Sequence, residues 1–280
     1  MTGFDRRTTP ARPDLAAKHL EGRVSARRFV EGRPMRVLDP VIAMRPDPSP
    51  GTGIDTELLY GEDVTVYEDG EEGLSWVQAA TDGYVGWVPT DALGPVRHAT
   101  HRVALRRCFV FPGPSIKLPP LRALPFGARV AVAEFRDDFA VIEGGGHVHA
   151  PALKPVSTPE PDFVAVAEGF LGTAYLWGGK SSIGLDCSAL VQTGLHAAGI
   201  PCPRDSDMQA EGLGTDIATE GPFLRGDLVF WRGHVGIMRD PETLLHANAF
   251  HMATASEPLA EARERILAKG GGPILRVKRL

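Results

Sequence analysis

Three side chains in the C-terminal half have the types and spacing of a nucleophile with two proton-handling partners: Cys187, His234 and His246. Cys187 stands in "GLDCSALVQTGLHAAGI" (184–200), where Asp186 is a good N-cap and Gly199 a good stop for a single helix. A thiol in a first helical turn feels the positive end of the macrodipole, which lowers its pKa. A nearby imidazole would take its proton and later return it to a leaving amine. His234 opens the strand candidate "HVGIMR", and His246 lies in the next one, "TLLHANA". If these form an antiparallel hairpin, facing residues have a constant sum. A three-residue loop 239–241 or a five-residue loop 238–242 would then set both imidazoles directly opposite, with Cα atoms roughly 4.5–5.5 Å apart. A two-residue loop would send them to opposite faces. A Cys–His–His relay therefore requires an odd loop or a bulge, with one histidine as base and the other orienting it.

Two other readings of Cys187 stand beside this one. Free cysteine is commonly a small buried hydrophobe, and packing is the preferred reading for Cys108 in "RRCFVF" and Cys202 in "PCPRD". A Cys–His–His zinc site with an open fourth position is the other, although no CxxC spacing supports it. Of the remaining histidines, "HVH" (147–149) would place two rings on one strand face. His196 lies on the Cys187 helix, and His251 is the rival third member. Surface or packing roles are expected for these.

The elements that must carry these residues change character along the chain. With 280 residues, 43% of them hydrophobic, the chain can bury a sizeable core and hold two or three domains. Its 24 prolines and 32 glycines suit short strands and turns better than a helical bundle. The net charge is −5 with no basic block, which argues against nucleic acid or an anionic membrane as partner. The first residues show neither an apolar signal region nor a membrane span, and three cysteines form no disulfide framework. A reducing, cytoplasmic setting is expected.

Residues 1–35 read as a polar N-terminal extension in which "PDLAAKHLEG" forms one short helix. Residues 36–97 and 98–156 read as two all-β units that repeat one another. "LLYGEDVTVYE" returns as "LPFGARVAVAE", Gly61 aligning with Gly127, Trp76 with Phe139 and Gly83 with Gly145. "VTVYE" alternates as half-buried strands do, and units of about 60 residues built from short strands suit small barrels. The proline-rich "KPVSTPEPDF" (154–163) marks the clearest boundary. Beyond it, in 157–280, "DFVAVAEGFLG" reads as a helix closed by Gly172, followed by the Cys187 helix and a loop "PCPRDSDMQAEG". Strands "DLVFW", "HVGIMR" and "TLLHANA", an amphipathic helix in "SEPLAEARERILAKG" and a last strand "PILRVKRL" complete an α+β arrangement.

Taken in order, "YLWGGKSSIGLDCSALVQ", "PRDSDMQ", "GDLVFWRGHVGIM" and "LLHANA" resemble the NlpC-type cell-wall cysteine peptidases, and "yGE-V-V" with "DGYxGWV" resembles bacterial SH3-like domains. The resemblance implies an α+β papain-like catalytic domain preceded by two small all-β SH3-like barrels, the second more degenerate. It makes Cys187 the nucleophile, His234 the general base and His246 the orienting residue, without metal or cofactor. It places Tyr175 near the thiol, where the hydroxyl positions substrate or meets the oxyanion. It places Asp186 and Ser188 among the substrate-binding residues; read by themselves, Asp186 needs only its cap role, with a substrate contact optional, and Ser188 has no derivable role.

The family implied by these motifs cleaves the γ-D-glutamyl bond to a diamino acid in peptidoglycan stem peptides. Its members with N-terminal SH3-like domains prefer a free N-terminal L-Ala. The resemblance assigns that ammonium to Glu62 of "yGE" and Tyr84 of "DGYxGW", with Asp205 and Ser206 of "PRDS"; the second copy has Ala128 and Gly146 instead. Residue-level alternatives are a solvated strand-edge charge for Glu62, a barrel-surface aromatic for Tyr84 and a capping box for Ser206 with Gln209. The expected substrate is a small muropeptide such as L-Ala-γ-D-Glu-diaminopimelate, in cell-wall peptide recycling. An autolysin acting on intact peptidoglycan, a related thiol amidase or acyltransferase, and an inactive peptide-binding module are the competing readings. Oligomeric state and the choice between lysine and diaminopimelate stay open.

Overall fold

The chain parts inside the proline-rich stretch, one unit ending at Thr158 and the other beginning at Pro159. The computed structural model describes residues 4–49 and 51–280. Residues 1–3 of the expected extension and Pro50 of the first expected barrel lie outside the described residues.

The N-terminal unit is all-β apart from short 3₁₀ turns, and it holds two similar assemblies with separate cores. The first has a five-stranded sheet in the order Val85–Pro89, Leu74–Ala79, Asp63–Asp69, Arg33–Val37 and Leu93–Gly94, and a hairpin of Val41–Met44 with Thr56–Leu59. Its core gathers Val37, Ile42, Met44, Val64, Val66 and Val77. The second orders Arg122–Pro125, Arg107–Phe111, His147–His149, Phe139–Ile142 and Val132–Arg136, around Val103, Val110, Leu124 and Ile142. The aligned glycines match in conformation, Gly61 at φ 79° and Gly127 at φ 83°, left-handed turns that favour glycine. Register shifts also recur, between Val66 and Glu68 and between Val132 and Glu134.

The expected helix in "PDLAAKHLEG" is not formed. Leu15–Ala17 is instead a strand paired in parallel with Arg28–Val30, followed by a 3₁₀ turn at Lys18–Leu20. Burial overrides helix propensity here, since Leu15 packs with Trp76, Val85 and Trp87. Asp14 engages Arg12 rather than capping a helix. The extension also runs into the first sheet without a break at residue 36, because strand Arg33–Val37 crosses that position.

The C-terminal unit is α+β. In chain order its elements are α1 (Phe163–Glu168), β1 (Ala174–Tyr175), β2 (Gly184–Leu185), α2 (Cys187–Ala197), α3 (Ser206–Gly212) and β3 (Thr215–Ile217). Then come β4 (Leu228–Trp231), β5 (His234–Met238), β6 (Thr243–Asn248), β7 (Ala253–Pro258), α4 (Leu259–Ala268) and β8 (Arg276–Arg279). The strands form one sheet in the order β2-β1-β7-β6-β5-β4-β8-β3. Helix α2 packs on β5 and β6 through its apolar side, with Leu190, Val191 and Leu195 fully buried. Each such side chain contributes about 1.5–3 kcal/mol. Gly194 lets α1 approach, because a Cβ there would stand 2.7 Å from the Phe163 carbonyl oxygen.

Two expectations for this unit are revised. α1 ends at Glu168, earlier than Gly172, and the expected loop "PCPRDSDMQAEG" contains α3. The N-cap of α3 is Asp205, and Ser206 is already inside the helix. No Ser206–Gln209 capping box forms, because the Gln209 amide turns inward and donates to the carbonyls of Ser188 and Pro203, both at 2.9 Å.

Candidate active site

Asp186 caps α2 as its sequence position requires, accepting from the Ala189 N–H at 2.8 Å, and Gly199 stops the helix at φ 75°. This sets Cys187 in the first turn, where the N–H groups have no intrahelical acceptor. The Asp186 carboxylate does more than cap. It accepts from the Gly178 N–H at 3.0 Å and from the Ser188 hydroxyl at 3.2 Å. Arg204, only 1% exposed, grips it with two parallel bonds of 3.0 and 2.6 Å. The same guanidinium donates to Ser188 Oγ at 2.9 Å. Asp186 and Ser188 are therefore taken up inside the protein. Both bond to Arg204 in a buried cluster that fixes the base of α2.

β5 and β6 present the two histidines. Ile237 pairs with Leu245 and Met238 with Leu244, and the Arg239 N–H bonds the Thr243 carbonyl. The turn is thus the odd, three-residue loop 240–242, one position later than the expected 239–241. Asp240 fixes it by accepting from the N–H groups of Glu242 and Thr243, both at 2.9 Å. With this register the imidazoles share a face but stand diagonally, two positions out of line, rather than directly opposite as expected. A diagonal pair is still within reach of long or aromatic side chains, and His234 Nε2 lies 2.8 Å from His246 Nδ1.

His246 is almost wholly buried, 1% exposed, and its other nitrogen lies 2.7 Å from Glu257 Oε1 on β7. Arg265 of α4 clamps that carboxylate, with Nη1 2.6 Å from Oε2 and Nη2 on Oε1. Arg265 in turn stacks over Phe250, its guanidinium carbon 4.2 Å from the ring centre. His251, the rival third member, faces Asn248 Oδ1 at 3.1 Å and makes no bond to His234 among those of the described residues.

Burial reverses the expected titration of the thiol. Desolvation, reinforced by the adjacent Asp186 carboxylate, pushes Cys187 up to about 12. The N–H groups of Val235 and Ser188, which point at the sulfur, and the Arg204 charge only partly oppose this. The helix start alone leads to the opposite expectation, because it counts the dipole and omits burial. Desolvation also brings His234 down to about 3, helped by His246 and Arg265, and lowers His246. Burial would raise Glu257, but His246 and Arg265 together hold it at about 2. At neutral pH the thiol and the two imidazoles are therefore neutral, and Glu257 is a carboxylate. Tyr175, half-buried, has its hydroxyl pKa raised by burial and then by Cys187 and Asp186.

Elsewhere the cysteines pack: Cys108 is in the second β core, and Cys202 is buried with Sγ 3.4 Å from the Pro203 carbonyl. His196 bonds the Cys202 carbonyl at 3.1 Å. In the N-terminal unit, the Glu62 carboxylate accepts from the Leu59 N–H at 3.0 Å. Tyr84 belongs to the first β core rather than to a surface. One potential metal-ligating group stands out among the described residues, His246, His251 and Glu257, with ligand atoms within 4.8 Å of one another. Arg265 already places a cation on its carboxylate. Glu257, Arg265 and Arg204 are the site residues that sequence reading misses.

Residues 172–264 match the NlpC/P60 family, and residues 44–93 match the bacterial dipeptidyl-peptidase Sh3 domain. A γ-D-glutamyl-L-lysine dipeptidyl-peptidase of Bacillus subtilis is 29% identical over 221 residues, 69% of this chain and 72% of that protein. The protein of the same name from Bacillus cereus is 25% identical over 206 residues, 64% of this chain and 60% of that protein. The crystal structure of an NlpC/P60 family protein from Bacillus cereus superposes with a TM-score of 0.72, covering 88% of this chain and 99% of that one at 18% identity. That likeness shows the fold, a papain-like mixed α/β arrangement in the C-terminal unit.

Proposed function

This chain carries an NlpC/P60 domain together with a bacterial SH3 domain, and from that premise we propose that it is a cysteine peptidase of peptidoglycan stem peptides. It hydrolyses the γ-D-glutamyl bond to a diamino acid in small muropeptides with a free N-terminal L-Ala. The observation that carries this reading is the helix-start Cys187, whose sulfur meets the N–H of Val235, the residue after His234, together with the 2.8 Å contact from His234 to a second, buried histidine.

The reaction begins from the neutral pair. His234 takes the Cys187 proton as the sulfur attacks the γ-carbonyl carbon. The oxyanion forms against the Cys187 N–H and the Tyr175 hydroxyl. Collapse breaks the C–N bond, and His234 returns the proton to the departing amine. Water, deprotonated by the same imidazole, then hydrolyses the thioester and frees the thiol. Desolvation favours this coupled transfer over a standing ion pair, because two separate charges in the buried site cost more than one proton moved during attack.

The preference for a free amine is assigned by motif to Glu62, Tyr84, Asp205 and Ser206. Relatives named γ-D-glutamyl-L-lysine dipeptidyl-peptidase support the substrate class. Recycling of released peptides is the role such a preference serves, since MurNAc-linked L-Ala in intact sacculus has no free amine. Mass spectrometry of products from defined muropeptides tests the reading. Cleavage between D-Glu and the diamino acid by the wild-type chain, and none by Cys187→Ala, is expected. Equal cleavage of purified sacculi and free tripeptide would overturn the recycling role.

A further inference from the structure

The three-member relay leaves a question of proton placement. A neutral imidazole has one N–H and one bare nitrogen, and His234 serves as base only if the nitrogen facing Cys187 is the bare one. Two neutral histidines joined by one hydrogen bond satisfy this in one of two directions. The contact between His234 and His246 is the same length for either.

We propose that Glu257 is a positioning residue that decides the direction, fixing the tautomer of His246 and through it that of His234. A carboxylate only accepts, so Oε1 at 2.7 Å requires the proton on His246 Nε2. His246 Nδ1 is then bare and accepts from His234 Nε2–H across 2.8 Å. His234 Nδ1 is left bare, which is the state a base needs. The reverse direction would set two acceptors against each other at Glu257. Arg265 completes the device. Its bidentate grip holds the carboxylate ionised and aimed, and Phe250 holds Arg265. Helix α4, which touches neither the thiol nor β5 through these bonds, thereby sets the polarity of the site.

This rests on the reading of Cys187 as nucleophile and His234 as base, so the test separates the two. The probe is alkylation of the folded, full-length chain by iodoacetamide across pH, which needs no peptide substrate. The groups whose charges bear on His246 are His234, His251, Glu257 and Arg265, and all but Glu257 are left in place. Glu257→Ala is expected to slow Cys187 alkylation, and turnover of the muropeptide in kcat rather than KM, by about 10–100-fold, the range typical of losing a partner that orients a histidine. Its alkylation pH profile is expected to move toward that of an unassisted thiol.

Glu257→Gln keeps the shape but offers a donor as readily as an acceptor, and is expected to lie between wild type and Glu257→Ala. It serves where the alanine variant does not fold. Histidine ¹⁵N NMR is expected to show His234 and His246 protonated at Nε2 in the wild type and a tautomer mixture in either variant. Lowered melting temperature with unchanged tautomers and an unchanged alkylation profile would overturn the proposal and leave Glu257 a structural ion pair. Wild-type Cys187 reacting no faster than buried Cys108 and Cys202 would instead overturn the nucleophile reading itself. A normal relay profile without peptide cleavage would overturn only the substrate.

Discussion

Arg204 and Asp186 form a buried, two-pronged ion pair directly under the helix start that presents Cys187, with bonds of 3.0 and 2.6 Å. Taking two charges out of water is costly, and such a pair is tolerable only because Gly178, Ala189 and Ser188 supply the remaining bonds. Arg204→Ala leaves a buried carboxylate beside the thiol. A loss of about 3–5 kcal/mol in urea unfolding is expected, the usual cost of breaking a buried pair from one side. Arg204→Lys is not conservative, because one ammonium cannot reproduce the fork. A loss below 1 kcal/mol would show the pair is dispensable.

His246 and His251 compete for the third position in the sequence, and the geometry separates them. His246→Ala removes the partner of His234 Nε2 and is expected to lower kcat by about 10²-fold or more, with KM little changed. His251→Ala, which touches Asn248 and not His234, is expected to leave kcat near wild type. Steady-state kinetics on the free tripeptide checks both, and the reverse ranking would make His251 the orienting residue.

The pH dependence has a definite sign. His234 must be neutral to accept a proton, and it sits at about 3 instead of 6.5. Peptidase activity is therefore expected to persist well below pH 6.5, falling on the acid side only as this depressed value is approached. Stability follows the same direction. Glu257 is at about 2 when folded, against 4.5 unperturbed, so its contribution is whole above pH 4.5 and is lost as pH falls toward 2. His234 excludes a proton that the unfolded chain binds, so stability also declines as pH falls between 6.5 and 3. Chemical denaturation across pH, with and without Glu257→Gln, isolates the carboxylate's share in the lower window. An acid limb of kcat/KM near 6.5 would contradict a neutral His234 with a depressed pKa.

The proposed free-amine preference is testable without touching the reaction centre. Glu62→Gln is expected to raise KM for a tripeptide with free L-Ala by about tenfold or more, the scale of one charge-assisted hydrogen bond lost, with kcat nearly unchanged. N-acetylation of L-Ala is expected to cost the wild type at least as much and the variant little further. Equal turnover of acetylated and free peptides by the wild type would remove Glu62 and Asp205 from substrate binding.

The sequence by itself determined whatever depends on near neighbours. Asp186 and Gly199 bound α2 because caps and stops act within a few residues. The parity of the His234–His246 hairpin was legible because an odd loop preserves the face, and Asp240 secures one. The two β assemblies were visible in the recurrence of Gly61 and Gly127 ahead of alternating strands. Tertiary structure decided what depends on distance and water. The register put the histidines on a diagonal, which only the ladder of β5 on β6 specifies. Glu257 lies in "ATASEP", where nothing in the pattern separates a buried acceptor from a solvated charge. Arg265 looks like the polar face of an amphipathic helix, and Arg204 like a loop cation. Above all, the thiol's pKa turned on burial. A helix start lowers it in isolation, but burial and then the Asp186 carboxylate push it up.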